Sequence, residues 1–300
     1  MGGDEFVVVL APSDASAEAA SARATTAGRA LIEAMTSQPI SIGERHYHLG
    51  ASVGFTLFPK PADTIDTLIR EADTAMYRAK SGEGDVVMFR PAMHQSILDR
   101  HAIEDDIRNG LKEDRFAIWL QDQVDAAGAP SSAEALLRLR GRDGRLAPPD
   151  RFVGVAETSG LIVPLGRWLL GETARLMARI GADRPDWRLS VNVSPRQFRD
   201  PAFVTDVLAA LDREGVAPAR LTLEITENLL IRDTEEVARI MDALAARGVR
   251  FSVDDFGTGY SSLLYLRRLP IHELKIDRFF ISQVPDDASA VAIVEAIIAM

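Results

Sequence analysis

Five oxygen-bearing side chains stand in or just after short apolar segments in the last two-thirds of the sequence: Glu134, Asn192, Glu224, Asp254 and Asp255. Asn192 and Glu224 are 32 residues apart, and Glu224 and Asp254 are 30 residues apart. One strand-helix-strand step takes about 30 residues or more, so each ligand would come from a successive strand. Oxygen ligands of this kind suit Mg²⁺ or Mn²⁺ better than Zn²⁺. The pattern predicts a metal site at the carboxyl ends of the strands of a parallel barrel.

Strands and helices alternate from Arg115 onward, which predicts an α/β domain over residues 113–300. Six strands can be counted there, fewer than the eight of a closed barrel, so the expected fold class is α/β with an incomplete TIM-like (β/α) barrel. The predicted strands cover 116–125, 134–140, 191–194, 222–226, 251–255 and 273–277, and the predicted helices lie near 149–157, 165–180, 201–213, 234–247 and 260–268.

The adjacent aspartates impose a local condition on this fold. On a regular strand, Asp254 and Asp255 would point to opposite faces of the sheet. Both can face a metal only where the strand ends, and we expect Gly257 and Gly259 to permit the turn that follows.

The first third of the chain has a different pattern, typical of an α+β domain with hairpins. The predicted order is a strand (5–11), a helix (15–36), two strands (40–50 and 51–59), a helix (64–80) and a strand (85–89). The expected domains are therefore 1–93, a helical linker 94–112 with helical apolar spacing, and 113–300.

Composition excludes several classes of protein. The net charge of −10 argues against a nucleic-acid duplex as a partner, and the absence of cysteine excludes a disulfide framework. No apolar run is long enough to predict a membrane segment, so we expect a cytoplasmic location, with any membrane attachment made by a region before Met1. His46 and His48 alternate as on the solvated face of a strand, and no further ligand nearby makes them a zinc pair.

Two groups of motifs resemble known families. The segments EALLR (134–138), VNVS (191–194), LEITE (223–227), DDFGTGYSSL (254–263) and LKID (274–277) resemble, in order and spacing, the EAL family of cyclic di-GMP phosphodiesterases. The segments GGDEF (2–6), SVGFTLFP (52–59) and ADTAMYRAK (72–80) resemble the C-terminal half of a GGDEF diguanylate cyclase domain. Together they resemble a tandem GGDEF-EAL protein of bacterial second-messenger signalling.

The resemblance implies hydrolysis of cyclic di-GMP to linear pGpG with two Mg²⁺ or Mn²⁺ ions as cofactors. It implies that Glu134, Asn192, Glu224 and Asp254 hold the first ion, and that Asp254 and Asp255 hold the second. Taken singly, Glu134 would be a salt-bridged carboxylate and Asn192 a turn former. It is their combination, in order, that favours the metal site.

The resemblance also assigns roles around the metals. Lys275 would bind the attacked phosphate or position the water, and Glu227 would anchor the DDFGTGYSS loop. Asp122 stands where the family usually has proline, which weakens the assignment of the neighbouring contact to the base. The residues expected to hold the dinucleotide are Gln121, Leu136 and Arg138, the last through phosphate.

The GGDEF remnant supports less. Asp4 and Glu5 match acidic positions that bind metal and the attacking hydroxyl, Lys80 matches a phosphate contact, and the other matched positions are Gly2, Gly3 and Phe6. The rest of that family's site would precede Met1, so no cyclase activity is expected of this chain. A regulatory role with GTP as a ligand stays open for an intact domain.

The ends of the chain lead to a further expectation. The family's general base is a glutamate in a segment that would follow Met300, and an open barrel exposes unpaired strand edges. We therefore expect this polypeptide alone to be unstable and inactive, and its parent to be active. By family analogy, LLYLRRLP (263–270) is a candidate homodimer contact, with ordinary packing on the barrel as the alternative.

Two other functions compete with hydrolysis. One is a non-catalytic cyclic di-GMP receptor, which a degenerate set of ligands would indicate, although every ligand of the motifs present is intact. The other is an unrelated magnesium barrel such as an enolase-like lyase, which also combines acidic strand ends with a lysine; the EALLR and DDFGTGYSS segments argue against it.

Overall fold

A computed structural model describes residues 5–11, 16–42, 45–47, 50–60, 63–80, 84–231, 234–257 and 267–299. The chain divides into two compact units, Met1–His101 and Ala102–Met300. The boundary falls inside one long helix, Pro91–Lys112, which includes the helix predicted for residues 94–112.

The first unit is a small α+β structure. Its elements are α1 (Ala17–Thr36), β1 (Ile40–Ile42), β2 (Arg45–Tyr47), β3 (Val53–Phe55), α2 (Ile65–Arg78), β4 (Val86–Met88) and the start of α3 (Pro91–Lys112). The first two strands form an antiparallel hairpin, and the next two pair in parallel. A Cβ atom at Gly54 would lie 1.9 Å from the Met76 backbone nitrogen, so only glycine lets α2 lie directly on β3.

The prediction of a strand over residues 5–11 was wrong. The structure forms no strand there, and the side chains of Phe6, Val7, Val8 and Val9 are exposed. An apolar run of this kind becomes a strand only when a neighbouring strand supplies hydrogen-bond partners, and the described strands of this unit pair with one another instead.

The second unit is built on one twisted sheet, and it confirms the predicted fold class. Its strands are β5 (Phe116–Val124), β6 (Pro130–Arg140), β7 (Leu146–Ala147), β8 (Arg188–Asn192), β9 (Leu221–Thr226), β10 (Arg250–Phe256) and β11 (Glu273–Ile276). The order across the sheet is β11-β10-β9-β8-β6-β5, with the two-residue β7 beside β6. From β6 to β11 this order follows parallel pairs, whereas β5 runs antiparallel to β6.

Helices cover one face of this sheet. They are α4 (Val153–Ser159), α5 (Ile162–Gly181), α6 (Pro195–Phe198), α7 (Phe203–Glu214), α8 (Glu227–Ile231), α9 (Thr234–Ala245), α10 (Arg278–Ile281) and α11 (Ala288–Ile298). The predicted helix at 260–268 lies almost wholly outside the described residues. None of the helices in the described ranges has the length and apolar character needed to cross a bilayer.

The alternation of side chains along the strands separates core from site. Leu189 and Val191 of β8, and Phe251 and Val253 of β10, are buried in the hydrophobic core that the sheet forms with its helices. The residues between them face the other side of the sheet, because successive side chains of a strand point in opposite directions. That other side carries Ser190, Asn192, Thr222, Glu224, Ser252 and Asp254.

Candidate metal centre at the carboxyl ends of the strands

Strand register brings the predicted ligands to one end of the sheet. Glu224 of β9 is paired with Asn192 of β8 on one side and with Ser252 of β10 on the other. Glu134 of β6 is paired with Ser190, two residues before Asn192. These ligands therefore stand on the same face, and Asn192, Glu224 and Asp254 lie within two residues of the carboxyl ends of their strands.

The side chains converge on the ammonium group of Lys275. Its Nζ lies 2.6 Å from Glu224 Oε2, 3.2 Å from Glu134 Oε2 and 3.3 Å from Asp254 Oδ2. Asn192 joins this group by donating from Nδ2 to Glu134 Oε1 over 2.7 Å. Three carboxylates thus surround a single cation, and one amide is hydrogen-bonded to one of them.

Burial sets the electrostatics of this cluster. Glu224 is only 1% exposed, and this burial raises the pKa of its carboxyl group, against the opposing effect of Lys275. Burial lowers the pKa of Lys275, but the Glu224 carboxylate and its neighbours outweigh it and raise that pKa above its usual value. The lysine therefore stays charged at neutral pH.

A β-bulge interrupts the alternation of side chains at the adjacent Asp254 and Asp255. Val253 pairs with Leu274 and Phe256 with Ile276, so Asp254 and Asp255 together stand opposite Lys275. Asp255 adopts a left-handed backbone with φ of 54°, and its amide donates to Asp254 Oδ1 over 3.0 Å. The expectation that the strand ends at this pair was wrong, because an extra residue in the ladder re-aims a side chain without ending the strand.

Glu227 supports the segment that follows the bulge. Its Oε2 accepts a hydrogen bond from the Gly257 amide over 3.0 Å, and Gly257 has φ of 102°. Glu227 itself is buried at the start of α8. Gly259 and the rest of the predicted loop, including Tyr260 and Ser261, lie outside the described residues.

The predicted dinucleotide contacts lie beside the acidic cluster. Gln121 pairs with Glu134 across the antiparallel β5-β6 ladder, and Leu136 and Arg138 follow on the same face of β6.

Burial of Glu157 raises the pKa of its carboxyl group, but this residue belongs to α4 and contributes nothing to the cluster.

The donor chemistry of the cluster fits a divalent cation. In the described ranges, no group of three or more His, Cys, Asp or Glu side chains is arranged to hold a metal ion as it stands. The carboxylates are instead spaced around the Lys275 ammonium, so a single cation position is common to all three. Within the same ranges the Glu224 carboxylate is buried, and the Ser190 hydroxyl on the neighbouring strand favours its charged form.

The structure describes only some of the residues predicted for the GGDEF site. Gly2, Gly3 and Asp4 lie outside the described residues, whereas Glu5 and Phe6 are exposed and outside any helix or strand. Lys80 is exposed just after α2.

Sequence reasoning missed two residues near the site. One is Asp277, which follows β11. Burial, followed by the nearby charges of Asp254 and Asp277, raises the pKa of Asp255. Trp119 is 53% exposed and lies on the same face of β5 as Gln121, two residues away. The period of two in a strand was the available signal for Trp119.

Fold and site together define a protein of the (β/α)-barrel class with an acidic centre at the carboxyl ends of its strands. Comparison with protein families assigns residues 104–300 to the EAL domain and residues 1–86 to the diguanylate cyclase, GGDEF domain. The chain therefore belongs to the EAL domain family, and a GGDEF domain segment precedes its EAL domain.

Relatives with known descriptions agree with this assignment. The bifunctional diguanylate cyclase/cyclic di-GMP phosphodiesterase MucR of Pseudomonas aeruginosa is 38% identical over 304 residues, covering all of this chain and 43% of that protein. The cyclic di-GMP phosphodiesterase PdeR of Escherichia coli is 34% identical over 301 residues, covering all of this chain and 44% of the relative. The chain thus spans less than half the length of these two proteins.

Solved structures show the same fold. The PaMucR phosphodiesterase in complex with c-di-GMP is 42% identical, with a TM-score of 0.63, and the match covers 66% of this chain and 81% of that one. The EAL enzyme Bd1971 in its cAMP and cyclic-di-GMP bound form is 27% identical, with a TM-score of 0.62, covering 80% and 64% of the two chains.

Proposed function

We propose that the protein hydrolyses cyclic di-GMP to the linear dinucleotide pGpG. The observation that carries this proposal is the convergence of Glu134, Glu224 and Asp254 on one cation position at the carboxyl ends of neighbouring strands. Phosphodiester hydrolysis needs charge stabilisation at the phosphoryl oxygens, and cations held by such a cluster supply it. The names of the relatives, which include two cyclic di-GMP phosphodiesterases, support the choice of substrate.

Two divalent ions, Mg²⁺ or Mn²⁺, complete the proposed site. When bound, such ions activate a water molecule and neutralise charge on the phosphoryl group. The residues proposed to hold them are Glu134, Asn192, Glu224, Asp254 and Asp255.

The chain's own residues have distinct proposed tasks. Lys275 keeps its proton, so its ammonium group is positively charged. This group binds a phosphate oxygen or positions the water. Glu227 holds the Gly257 amide and so fixes the path of the chain after the bulge. Arg138 binds phosphate, while Gln121 and Leu136 orient the nucleotide from β5 and β6.

Replacement of a ligand in the full-length protein tests the reaction. Glu134→Gln keeps the size of the side chain but removes its charge, and we expect the rate of pGpG formation to fall by at least about 100-fold. The matched control is Asp183→Asn, an exposed carboxylate in the turn after α5, at the opposite end of the sheet. Unchanged turnover in Glu134→Gln would remove the assignment.

Product analysis separates hydrolysis from simple binding. Chromatography of the products, with Mg²⁺ and with a chelator, should show metal-dependent pGpG from the unmodified protein. Tight binding of cyclic di-GMP without product under both conditions would make the protein a receptor instead.

Two further partners are proposed. We propose that an intact GGDEF domain in the full-length protein binds GTP in a regulatory role, which titration with labelled GTP tests. We also propose a homodimer through the EAL domain, measured by sedimentation. Its candidate contact, 263–270, lies largely outside the described residues.

A further inference from the structure

We infer that Trp119 and Arg138 form a stacking platform for one guanine base of the dinucleotide. The inference rests on the proposed function and adds a residue that contributes to the affinity for its substrate. It begins from an exposed indole ring at the mouth of the acidic centre.

Strand register fixes where this indole lies. Trp119 pairs with Leu136 across the β5-β6 ladder, and Gln121 pairs with Glu134 one step deeper. Paired residues of an antiparallel ladder point to the same face, so Trp119 shares the face of the acidic cluster. Two residues along a strand span about 7 Å, which is within reach of the base when the phosphate of the same nucleotide lies at the cation position beside Glu134.

The indole is exposed but held in place. It is 53% exposed, whereas Trp168 of the same unit packs against the core and the ring of Phe116. The guanidinium carbon of Arg138 lies 5.4 Å from the centre of the Trp119 ring, a cation-π contact. Arg138 is itself fixed by donating from Nη1 to the Leu137 carbonyl over 3.0 Å.

The combination suits a nucleotide better than an apolar partner. An indole offers a flat surface on which any base can stack, and the adjacent guanidinium both stacks and attracts phosphate. On this face Trp119 is paired with the apolar Leu136, and the residues beyond that pair, Gln121, Glu134 and Arg138, are polar or charged. A single exposed hydrophobic residue on a strand is common, but a tryptophan braced by arginine beside an acidic centre has a specific use.

Tryptophan fluorescence and binding test the platform in the full-length protein. The 300-residue sequence contains three tryptophans, and stacking of guanine on Trp119 should quench its emission. Binding of cyclic di-GMP is measured in the Glu134→Gln background, so that the ligand is not consumed. The variants are Trp119→Ala and Trp119→Phe, with circular dichroism to verify folding.

Trp187→Phe is the matched control. Trp187 also carries an arginine on its ring, with Arg184 at 4.9 Å, but it precedes β8 and so lies at the opposite end of the sheet. We expect Trp119→Ala to weaken binding by about 5- to 150-fold and to abolish the ligand-dependent quenching. Trp119→Phe should lose the quenching with a smaller loss of affinity, and Trp187→Phe should change neither.

The outcomes distinguish this inference from the proposed function. Unchanged affinity in Trp119→Ala, or quenching that persists without Trp119, would overturn the platform and leave hydrolysis standing. Binding that depends on Trp119 in a protein that forms no pGpG would support the platform and overturn hydrolysis. No binding of cyclic di-GMP by the unmodified protein would overturn both.

Discussion

The buried carboxylate of Glu224 requires a compensating positive charge. A carboxylate that is almost completely buried costs free energy unless a partner of opposite charge compensates it. Lys275 supplies that partner, and its ammonium is shared with Glu134 and Asp254. One ammonium thus faces three carboxylates, and the surplus of negative charge favours further cations.

Lys275→Met should therefore destabilise the metal-free protein, by about 3 to 5 kcal/mol at pH 7 in the free energy of unfolding. Burial already raises the pKa of Glu224, and loss of the ammonium raises it further. An acid whose folded pKa is raised loses stability as the pH rises above the unfolded value of about 4.3. The deficit should accordingly grow between about pH 4 and pH 7.

Urea denaturation in chelator at the two pH values measures this effect. The control is Arg145→Met, which breaks an ion pair with Asp143 whose side chains are 90% and 62% exposed. Such pairs contribute little, so the control should stay within about 0.5 kcal/mol of the unmodified protein. An equal deficit at pH 4 and pH 7 would contradict the charge-balance argument.

At the scale of elements, sequence periodicity predicted most of the EAL sheet. The segments around Glu134, Asn192 and Glu224 alternate or run apolar over strand length, and each is a strand in the structure. The sequence did not predict that Asp254 and Asp255 form a β-bulge. A bulge depends on pairing with β11, and nothing local to the aspartates distinguishes it from the end of a strand.

The direction of β5 could have been predicted. Its partner β6 begins after a short loop in which Gly128 has φ of 81° and Asp125 Oδ1 accepts from the Ala127 and Ala129 amides. Two strands separated by a few residues with glycine form a hairpin, and a hairpin is antiparallel. By contrast, the exposed run 5–11 has strand composition but forms no strand, and composition alone cannot reveal that.

Packing between α5 and α6 provides a prediction at this scale. A Cβ atom at Gly166 would lie 2.3 Å from the end of the buried Gln197 side chain, which must shift to admit it, so Gly166→Ala should destabilise the EAL unit by about 1 kcal/mol. Gly171 lies in the same helix with open space around it, so Gly171→Ala should be stabilising by up to about 1 kcal/mol. Thermal unfolding of both variants measures the difference; equal shifts would contradict the assigned contact.

At the scale of the whole molecule, the two compact units have separate cores. One small cluster contains Ala75, Ala79, Val87 and Phe89, whereas the large core belongs to the EAL unit. Separate cores predict separate cooperative transitions.

The variant Gly54→Ala tests whether the two units unfold separately. The new Cβ would meet backbone atoms of α2, which cannot move without separating the helix from β3, so the first unit should lose about 3 kcal/mol or more. Gly50→Ala in the same unit meets nothing within 4 Å and should have little effect. Hydrogen exchange resolved along the sequence should show loss of protection in the first unit alone. Loss of protection in both would mean that they unfold together.

The reversed direction of β5 decides where the chain enters the EAL sheet. Phe116 begins β5 opposite Leu139, so the last turn of α3 reaches the sheet at the rim where the parallel strands finish. Arg115 stiffens this joint by donating to the Asp106 and Arg140 carbonyls. A parallel first strand would have placed the same joint at the far end. The last turn of α3 is therefore tied directly to the strand that carries Trp119 and Gln121.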